Sequence, residues 1–190
     1  MSKSRMEAFS DGVLAIIITI MVLELQVPHG IDLTALRPLV PLFLSYALSF
    51  IYIGIYWTNH HHLLYVTRQV NGAILWANLH LLFWLSMVPF VTGWMGENQM
   101  APLPTAFYGL ILVLAAIAYL LLQQAILRQE GPDSTLAVAI GPDRKGKLSP
   151  LIYVVAILVS FVRPWMAATL YVIAALIWLV PDSRIERSIT

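Results

Sequence analysis

Long apolar stretches separated by short polar or proline-containing gaps dominate this chain. A membrane-spanning helix needs about 20 mainly apolar residues, and the gaps leave six segments of this kind. We therefore predict an all-α integral membrane protein with six transmembrane helices per chain, in which residues 1–190 form a single transmembrane unit. The approximate segments are Arg5–Val27, Pro38–Tyr65, Gly72–Met95, Pro104–Leu127, one starting at Ser149-Pro150, and one from Pro164 to Pro181.

The region 150–181 allows two interpretations. Leu151–Val162 is short for a crossing, so Leu151–Val180 could instead form one long kinked helix. That arrangement would bring Arg163 close to the bilayer centre, at a cost of several kcal/mol unless the charge is paired. Two short helices with Arg163-Pro164 at an outer turn avoid this cost, and we favour them.

Prolines and glycines mark the expected ends and bends of these helices. Pro28-His29-Gly30 closes the first segment, and Ser149-Pro150 is expected to start the fifth, with proline in the first turn. Pro89 is expected to kink the third. The loop from Arg128 to Lys147 contains two turn signals, Glu130-Gly131-Pro132-Asp133 and Gly141-Pro142-Asp143.

Composition agrees with a lipid environment and narrows the possible functions. The chain is 59% hydrophobic and 11% charged, whereas a soluble domain carries about 25% charged residues. The net charge of +1 gives no reason to expect a nucleic-acid partner. Without cysteine there is no disulfide, thiolate metal site or cysteine nucleophile. No nucleophile–base pair or metal-ligand motif is visible either, so we expect neither an enzyme nor a cofactor.

The distribution of basic residues predicts the orientation in the membrane. With the N-terminus inside, nine cations fall on the inner side and two, Arg37 and Arg163, on the outer side. This asymmetry follows the positive-inside rule, so both termini are expected to be cytoplasmic. The inner cations are Lys3, Arg5, Arg68, Arg128, Arg144, Lys145, Lys147, Arg184 and Arg187.

Polar side chains within three of the segments form a candidate inter-helix network. Asp11 lies in the inner third if the first helix starts near Arg5, whereas it or Ser10 would be an N-cap if that helix started at Gly12. At similar depth, segment two carries Asn59, His60, His61 and His62, and segment three carries Asn78 and His80. Hydrogen bonds between these groups would fix the packing of the three helices. Consecutive histidines point about 100° apart on a helix, so a metal site is disfavoured.

A stripe on the first segment has two possible meanings. Ile16, Ile20 and Leu23 share one helix face at spacings of four and three residues, with Thr19 beside them. Because nearly every neighbouring residue is also apolar, periodicity leaves open whether this face packs against other helices or lines a pore. Aliphatic rings can close a pore by excluding water.

Three motifs resemble one known family. Arg5-x-x-x-Phe9-Ser10-Asp11, then Tyr56-Trp57-x-Asn59-His60-His61, and Asn78 with Pro89-Phe90 are similar to the bacterial branch of the lysosomal potassium channels, the transmembrane protein 175 family. The resemblance covers about the first half of the chain by motif and the remainder by architecture.

The resemblance implies a homotetrameric channel of the bacterial inner membrane that passes potassium and other monovalent cations. Helix one of each subunit would line a central pore gated by rings of Ile16, Ile20 and Leu23, and Thr19 would supply a pore-lining hydroxyl. The signature residues would be structural, holding helices one to three together near the inner mouth. The implied network contains Arg5, Phe9, Ser10, Asp11, Trp57, Asn59, His60, His61 and Asn78.

Two other functions remain open from the sequence. A secondary transporter is one, although its usual internal repeat is not evident. A proton-conducting protein that uses Asp11 and the histidines of helices two and three is the other.

Overall fold

The structure is a computed structural model that describes residues 2–131, 134, 137 and 144–179, excluding the side chains of residues 144, 145 and 147. All of the regular secondary structure in these ranges is helical. The helices are α1 (Lys3–Leu23), a 3₁₀ segment (Leu33–Leu39), α2 (Val40–Tyr65), α3 (Gly72–Ser86), α4 (Val88–Glu97), α5 (Pro102–Glu130), α6 (Arg144–Ser160) and α7 (Pro164–Leu179).

Four stretches are long and apolar enough to cross a membrane, which confirms the predicted character of the first four segments. They comprise α1, the 3₁₀ segment with α2, α3 with α4, and α5, whereas α6 and α7 are shorter apolar helices. The predicted end at Pro181, the cations Arg184 and Arg187, and the turns at Pro132-Asp133 and Gly141-Pro142-Asp143 lie outside the described residues.

The first helix begins earlier and ends earlier than the sequence indicated. It starts at Lys3, so the alternative in which Ser10 or Asp11 caps a helix beginning at Gly12 is wrong. The Ser10 hydroxyl instead donates to the Met6 carbonyl one turn back, 2.8 Å away. The helix ends at Leu23, not Val27. Pro28 explains part of this difference, because it restricts the backbone of the preceding residue and has no N–H for a helical bond.

The third crossing is interrupted next to its proline, as predicted. Helix α3 ends at Ser86 and α4 starts at Val88, so Met87 separates them and Pro89 lies in the first turn of α4. A proline in that position loses no helical hydrogen bond, because the first N–H groups of a helix have no partner within it.

The last two helices form an antiparallel hairpin. Trp178 near the end of α7 donates from Nε1 to the Ser149 hydroxyl near the start of α6, at 2.6 Å. The turn between the two helices contains Arg163. This confirms two short helices and excludes a single kinked one. The expected start at Ser149-Pro150 is wrong, because α6 begins at Arg144 and contains Pro150.

Helix packing places α1 at one side of the bundle. It contacts α2, α3 and α4, while α5 packs against α3, α4, α6 and α7. Behind α2 lies a group of aromatic residues in which the Tyr52 hydroxyl donates to the Tyr171 carbonyl at 2.7 Å. The Tyr108 hydroxyl is 3.0 Å from that of Ser49, which is 2.6 Å from Thr92 Oγ1. These contacts tie the α6–α7 hairpin to α2, α4 and α5.

Helices α2 and α4 approach closely at Gly96, which yields a first prediction. A Cβ atom at this position would lie 2.6 Å from the Leu42 Cα and 2.8 Å from its Cδ1. Since the Leu42 backbone cannot move independently, Gly96→Ala should force the helices apart and cost at least about 1 kcal/mol. We expect a fall in the thermal unfolding midpoint of at least about 2 °C, measured by fluorescence in detergent.

Gly54→Ala is the matched control for this experiment. A Cβ at Gly54, in the middle of α2, would meet nothing within 4 Å. Alanine is also the better helix former, by about 1 kcal/mol. The control should therefore melt at the same temperature as the parent protein or higher. Equal midpoints for both variants would contradict the close α2–α4 contact.

Candidate functional site

Helix α1 has one packed face and one open face. Its buried residues follow helical spacing and face the bundle; they are Met6, Ser10, Leu14, Ile17 and Met21. Another side, about 110° around the helix from the centre of the buried face, carries Ile16, Ile20 and Leu23, which are 59%, 43% and 76% exposed in the single chain. At 3.6 residues per turn these three positions fall within a narrow sector of the helix. The predicted stripe is thus one part of the α1 surface that no element of its own chain covers; Ala8, Ala15 and Val22 are exposed on another part.

The open face extends further towards the N-terminus than the sequence analysis recognised. Arg5, Phe9 and Gly12 precede Ile16 at spacings of four, three and four residues, and all three are exposed. A Cβ at Gly12 would meet nothing within 4 Å. The spacing that linked Ile16 to Leu23 would have revealed these positions had it been continued backwards. The face therefore combines a basic residue, a ring, a glycine and then aliphatic side chains.

Thr19 is exposed on this face and has a defined hydroxyl orientation. Its Oγ1 donates to the carbonyl of Ala15 one turn back, at 2.8 Å. Since the single hydroxyl proton is used within the helix, the oxygen lone pairs remain available on the open face. Such an oxygen can accept a hydrogen bond from water or contact a cation.

Behind the open face, three polar side chains connect three helices. The His60 Nε2 atom lies 2.7 Å from Asn78 Oδ1, and Asn78 Nδ2 donates to Ser10 Oγ at 3.0 Å. Because the Ser10 proton is directed to the Met6 carbonyl, Ser10 can only accept from Asn78, and His60 must donate from Nε2. Donation therefore runs in one direction, from α2 through α3 to α1. All three side chains are buried.

Asp11 makes a separate contact with α2. The Trp57 indole donates from Nε1 to Asp11 Oδ1 at 3.0 Å, and both residues are exposed in the single chain. The Trp57 ring stacks on His61, with 6.5 Å between the ring centroids. The signature carboxylate and the histidine stretch thus meet beside the buried network, about 140° around α1 from Ile16.

The other expected members of the network lie elsewhere. The Asn59 side chain donates from Nδ2 to the Ile55 carbonyl of its own helix. The Asn59 backbone carbonyl accepts from the Tyr119 hydroxyl of α5. Its side chain therefore does not join α1 to α3, because on a helix it points about 100° away from His60. Arg5 and Phe9 are exposed on the open face, without a hydrogen bond in the described part of the chain.

The helices are also linked at the end of the bundle where α1 begins. The Lys3 ammonium group donates to the Tyr65 carbonyl at the end of α2, at 3.0 Å. Asn71 accepts from the Ile74 N–H as the N-cap of α3 and donates to Gln129 of α5. These contacts anchor the start of α1 and the α2–α3 connection at one end of the bundle.

Within the described ranges, no three histidine, aspartate or glutamate side chains come together as a metal site. His60 is directed into the network, whereas His61 stacks on Trp57. Neighbouring histidines therefore face different surroundings, as the helical geometry requires.

Comparison with known proteins shows which family the chain resembles. Residues 5–89 match the family described as Endosomal/lysosomal potassium channel TMEM175. A potassium channel of Chryseobacterium sp. (strain P1-3) is 55% identical over 100% of this chain and 98% of its own length. The crystal structure of a lysosomal potassium-selective channel TMEM175 homolog from Chamaesiphon minutus superposes with a TM-score of 0.81 at 29% identity, covering 95% of this chain and 97% of that one.

An animal relative matches over a shorter stretch. The endosomal/lysosomal proton channel TMEM175 of Gallus gallus is 44% identical over 37% of this chain and 17% of its own length. The identity to the bacterial relative, by contrast, extends over both chains almost completely. The chain therefore belongs to the endosomal/lysosomal potassium channel TMEM175 family.

Proposed function

We propose that this protein is a potassium-permeable cation channel of the bacterial cell membrane, assembled as a homotetramer around a central pore lined by α1. Its permeant species are potassium and other monovalent cations, and its narrowest points are rings of Ile16, Ile20 and Leu23. Both termini face the cytoplasm. The observation that carries the proposal is the open face of α1, which from Gly12 to Leu23 is apolar apart from the Thr19 hydroxyl.

Two further observations support the proposal. The Chryseobacterium relative, which matches from end to end, is named a potassium channel. Helix α1 is held by a hydrogen bond from Asn78 to its buried Ser10 and by one from Trp57 to its exposed Asp11, so the helix has a fixed rotation that presents the stripe away from its own chain. A pore-lining helix needs such a fixed rotation, because a turn of 100° would exchange the lining residues.

The spacing of the rings gives the pore its physical character. Ile16 and Leu23 are seven residues apart, which corresponds to about 10 Å along the helix axis. Aliphatic carbons cannot replace the water that a cation loses, so a narrow ring excludes both water and ion. Conduction requires the ring to widen until a partly hydrated cation fits. Potassium, which holds its water less tightly than sodium, then passes more easily.

Thr19 provides the sharpest test of selectivity. Its oxygen would replace part of the lost hydration between the Ile16 and Ile20 rings. Thr19→Val retains the shape and removes the oxygen, so we expect the potassium-to-sodium flux ratio in liposomes to fall at least about threefold, since one hydrogen bond is worth about 1 kcal/mol. Thr19→Ser retains the oxygen and should keep the ratio within about twofold of the parent protein.

Two outcomes of this experiment would count against the proposal. A parent protein that forms its normal oligomer in detergent but carries neither ion into liposomes would exclude a channel. Equal ratios for the valine and serine variants would remove Thr19 from the pathway. Valinomycin, added at the end, makes all liposomes permeable to potassium. The maximal potassium uptake measured in this way is the value to which each flux is normalised.

Proton conduction is the second candidate, and the name of the Gallus gallus relative favours it. The directional network argues against a route through His60. Asn78 donates to Ser10, and Ser10 donates to a backbone carbonyl, so no proton can be passed on beyond the amide. A proton path would have to follow Asp11 or the water of the central pore instead.

A further inference from the structure

Helix α1 carries a second exposed surface beside the open face. Ala8 and Ala15 are exposed in the single chain and lie about 100° around the helix from the centre of the Ile16 stripe. Ser10, which contacts α3, lies about as far from the stripe in the opposite direction. The stripe is therefore flanked by the chain's own α3 on one side and by Ala8 and Ala15, the alanine face, on the other.

The alanine face forms one side of a groove whose other side is α2. Between the two helices lies Asp11, which accepts the hydrogen bond from Trp57 of α2 and is exposed in the single chain. It belongs to a helix that is long and apolar enough to span the membrane. A carboxylate at that depth costs several kcal/mol against lipid tails. Lipid is therefore an unfavourable cover for this groove, and a protein surface is a better one.

Helix α3 exposes large apolar side chains on one face. Trp76, Leu79 and Phe83 recur at spacings of three and four residues and are 75%, 42% and 55% exposed. Asn78 of the same helix contacts Ser10 of α1. Since Trp76 and Phe83 lie about 160° and 140° around α3 from Asn78, they project away from the α1 helix of their own chain.

The exposed faces of α1 and α3 lie at the same levels along the bundle. Both helices begin at one end of it, next to the end of α2. The contact between Ser10 and Asn78 defines a level that the two helices share. Each further residue adds about 1.5 Å to either helix. Ala15 and Phe83, each five residues further on, are therefore level with each other.

A four-fold ring brings the two faces together. A cyclic assembly uses two different surfaces of each chain, one of which meets the other on the next copy. Rotation about an axis parallel to the helices keeps every residue at its level. With the stripe towards the axis, the alanine face meets α3 of the next copy, so Phe83 reaches Ala15 and, by the same count of residues, Trp76 reaches Ala8. Each pair places a large ring against a methyl group.

We propose that α3 of each subunit packs into the groove between α1 and α2 of the next subunit. Phe83 and Trp76 fill the space above the alanine face. Leu79, which is level with Asp11, separates the hydrogen bond from Trp57 to Asp11 from the lipid. The inference rests on the α1-lined tetramer proposed above and adds which two surfaces hold that tetramer together.

Paired cysteines test this contact, because the chain has no cysteine of its own. Isolated membranes that contain the double variant Ala15→Cys with Phe83→Cys are treated with a short bis-methanethiosulfonate reagent. We expect a ladder of bands up to the tetramer on a denaturing gel without reductant. Ala15 points about 140° away from the α3 helix of its own chain, so a bridge within one chain cannot form. Co-expressed single variants should give dimers and nothing larger, since each chain then holds one thiol.

The double variant Ala8→Cys with Phe83→Cys is the matched control. Ala8 shares its face with Ala15 but lies seven residues earlier, about 10 Å along the helix axis, so this pair should remain monomeric on the gel. Equal ladders from both pairs would overturn the proposal. So would monomers alone from the matched pair in a protein that elutes as a tetramer, and the groove would then face lipid. If Phe83→Cys does not assemble, Ala8 with Trp76 becomes the matched pair and Ala15 with Trp76 its control.

A substitution that fills the groove provides an independent measurement. Ala15→Trp places a second ring system where Phe83 packs, so the tetramer should be lost on size-exclusion chromatography in detergent. Ile117→Trp also introduces an indole at an exposed position, on α5, and should leave the tetramer intact. A tetramer that tolerates Ala15→Trp would also overturn the proposal.

The interface and the channel fail in distinguishable ways. Cross-linking requires no ion flux, so a protein that gives the expected ladder but carries no potassium would refute the channel and retain the interface. A protein that conducts potassium and elutes as a tetramer, but gives no ladder from the matched pair, would refute the interface alone. A parent protein that elutes as a monomer would refute both.

Discussion

Ile16→Asn should raise potassium flux through the reconstituted channel at least about tenfold. If Ile16 forms a closed aliphatic ring in the tetramer, the barrier to conduction is mainly the cost of bringing water and an ion past hydrocarbon. Four amide groups would keep the ring wet, and each 1.4 kcal/mol removed from the barrier increases the rate about tenfold. The effect should also reduce the potassium-to-sodium ratio, because a wet ring no longer requires partial dehydration. Flux into liposomes at equal protein content measures both quantities.

Val22→Asn is the control for this substitution. Val22 is also exposed on α1, at 43%, but six residues after Ile16 it points about 120° away from the stripe. The polar substitution there should leave the flux within about twofold of the parent value. If Val22→Asn increased the flux and Ile16→Asn did not, the assignment of the pore-facing side of α1 would be wrong.

The absence of cysteine from the chain allows a direct check on the same face. The variant Leu23→Cys should form disulfides between subunits and should be blocked by a charged, water-soluble thiol reagent. Val22→Cys should do neither if that position faces lipid. Thiols can be joined only when their Cβ atoms come within about 4.5 Å, so cross-linking at Leu23 would require α1 helices to meet near a common axis.

The existence of the helices could be predicted from sequence because apolar runs are long and their gaps contain proline, glycine or charge. The ends of the helices could not be predicted, because the residue at which a helix begins or ends depends on only a few local interactions. Pro150 illustrates this point: its position after Ser149 is typical of a helix start, but the preceding residues form a helix as well, and Pro150 lies inside α6. Ser149-Pro150 is compatible with a helix start, but the residues before it also form helix, so α6 begins earlier.

The level of these residues along the helix bundle was predictable, but the direction in which each side chain points around its helix was not. The sequence placed Asn59 and His60 at the level of Asn78, and the structure pairs only His60 with Asn78. Adjacent residues differ by about 100° in direction, and which of them faces α3 is set by the packing of whole helices. The same limit applies to α1. Nearly all of its residues are apolar, so the sequence gives no contrast from which the buried side of the helix could be identified.

Asn78→Leu should be among the most destabilising single substitutions in the first three helices. Leucine is similar in length to asparagine but can neither accept from His60 nor donate to Ser10. Ser10 keeps its bond to the Met6 carbonyl, whereas the buried His60 Nε2–H loses its acceptor. An unsatisfied buried donor costs about 1–3 kcal/mol, and the lost bond to Ser10 adds about 0.6 kcal/mol. We expect the thermal midpoint in detergent to fall by at least about 4 °C.

A double substitution distinguishes loss of hydrogen bonding from loss of packing. Replacing both His60 and Asn78 by apolar residues, as in His60→Phe with Asn78→Leu, removes the orphaned donor together with its partner, and such paired replacements can be nearly neutral. The double variant should therefore melt above Asn78→Leu alone. Asn59→Leu, which removes only a bond within α2, should lower the midpoint by less than half as much as Asn78→Leu. If the effects of the single histidine and asparagine substitutions simply added, the residues would contribute independently, and the directional network from α2 to α1 would not be what holds the pore-facing helix in its rotation.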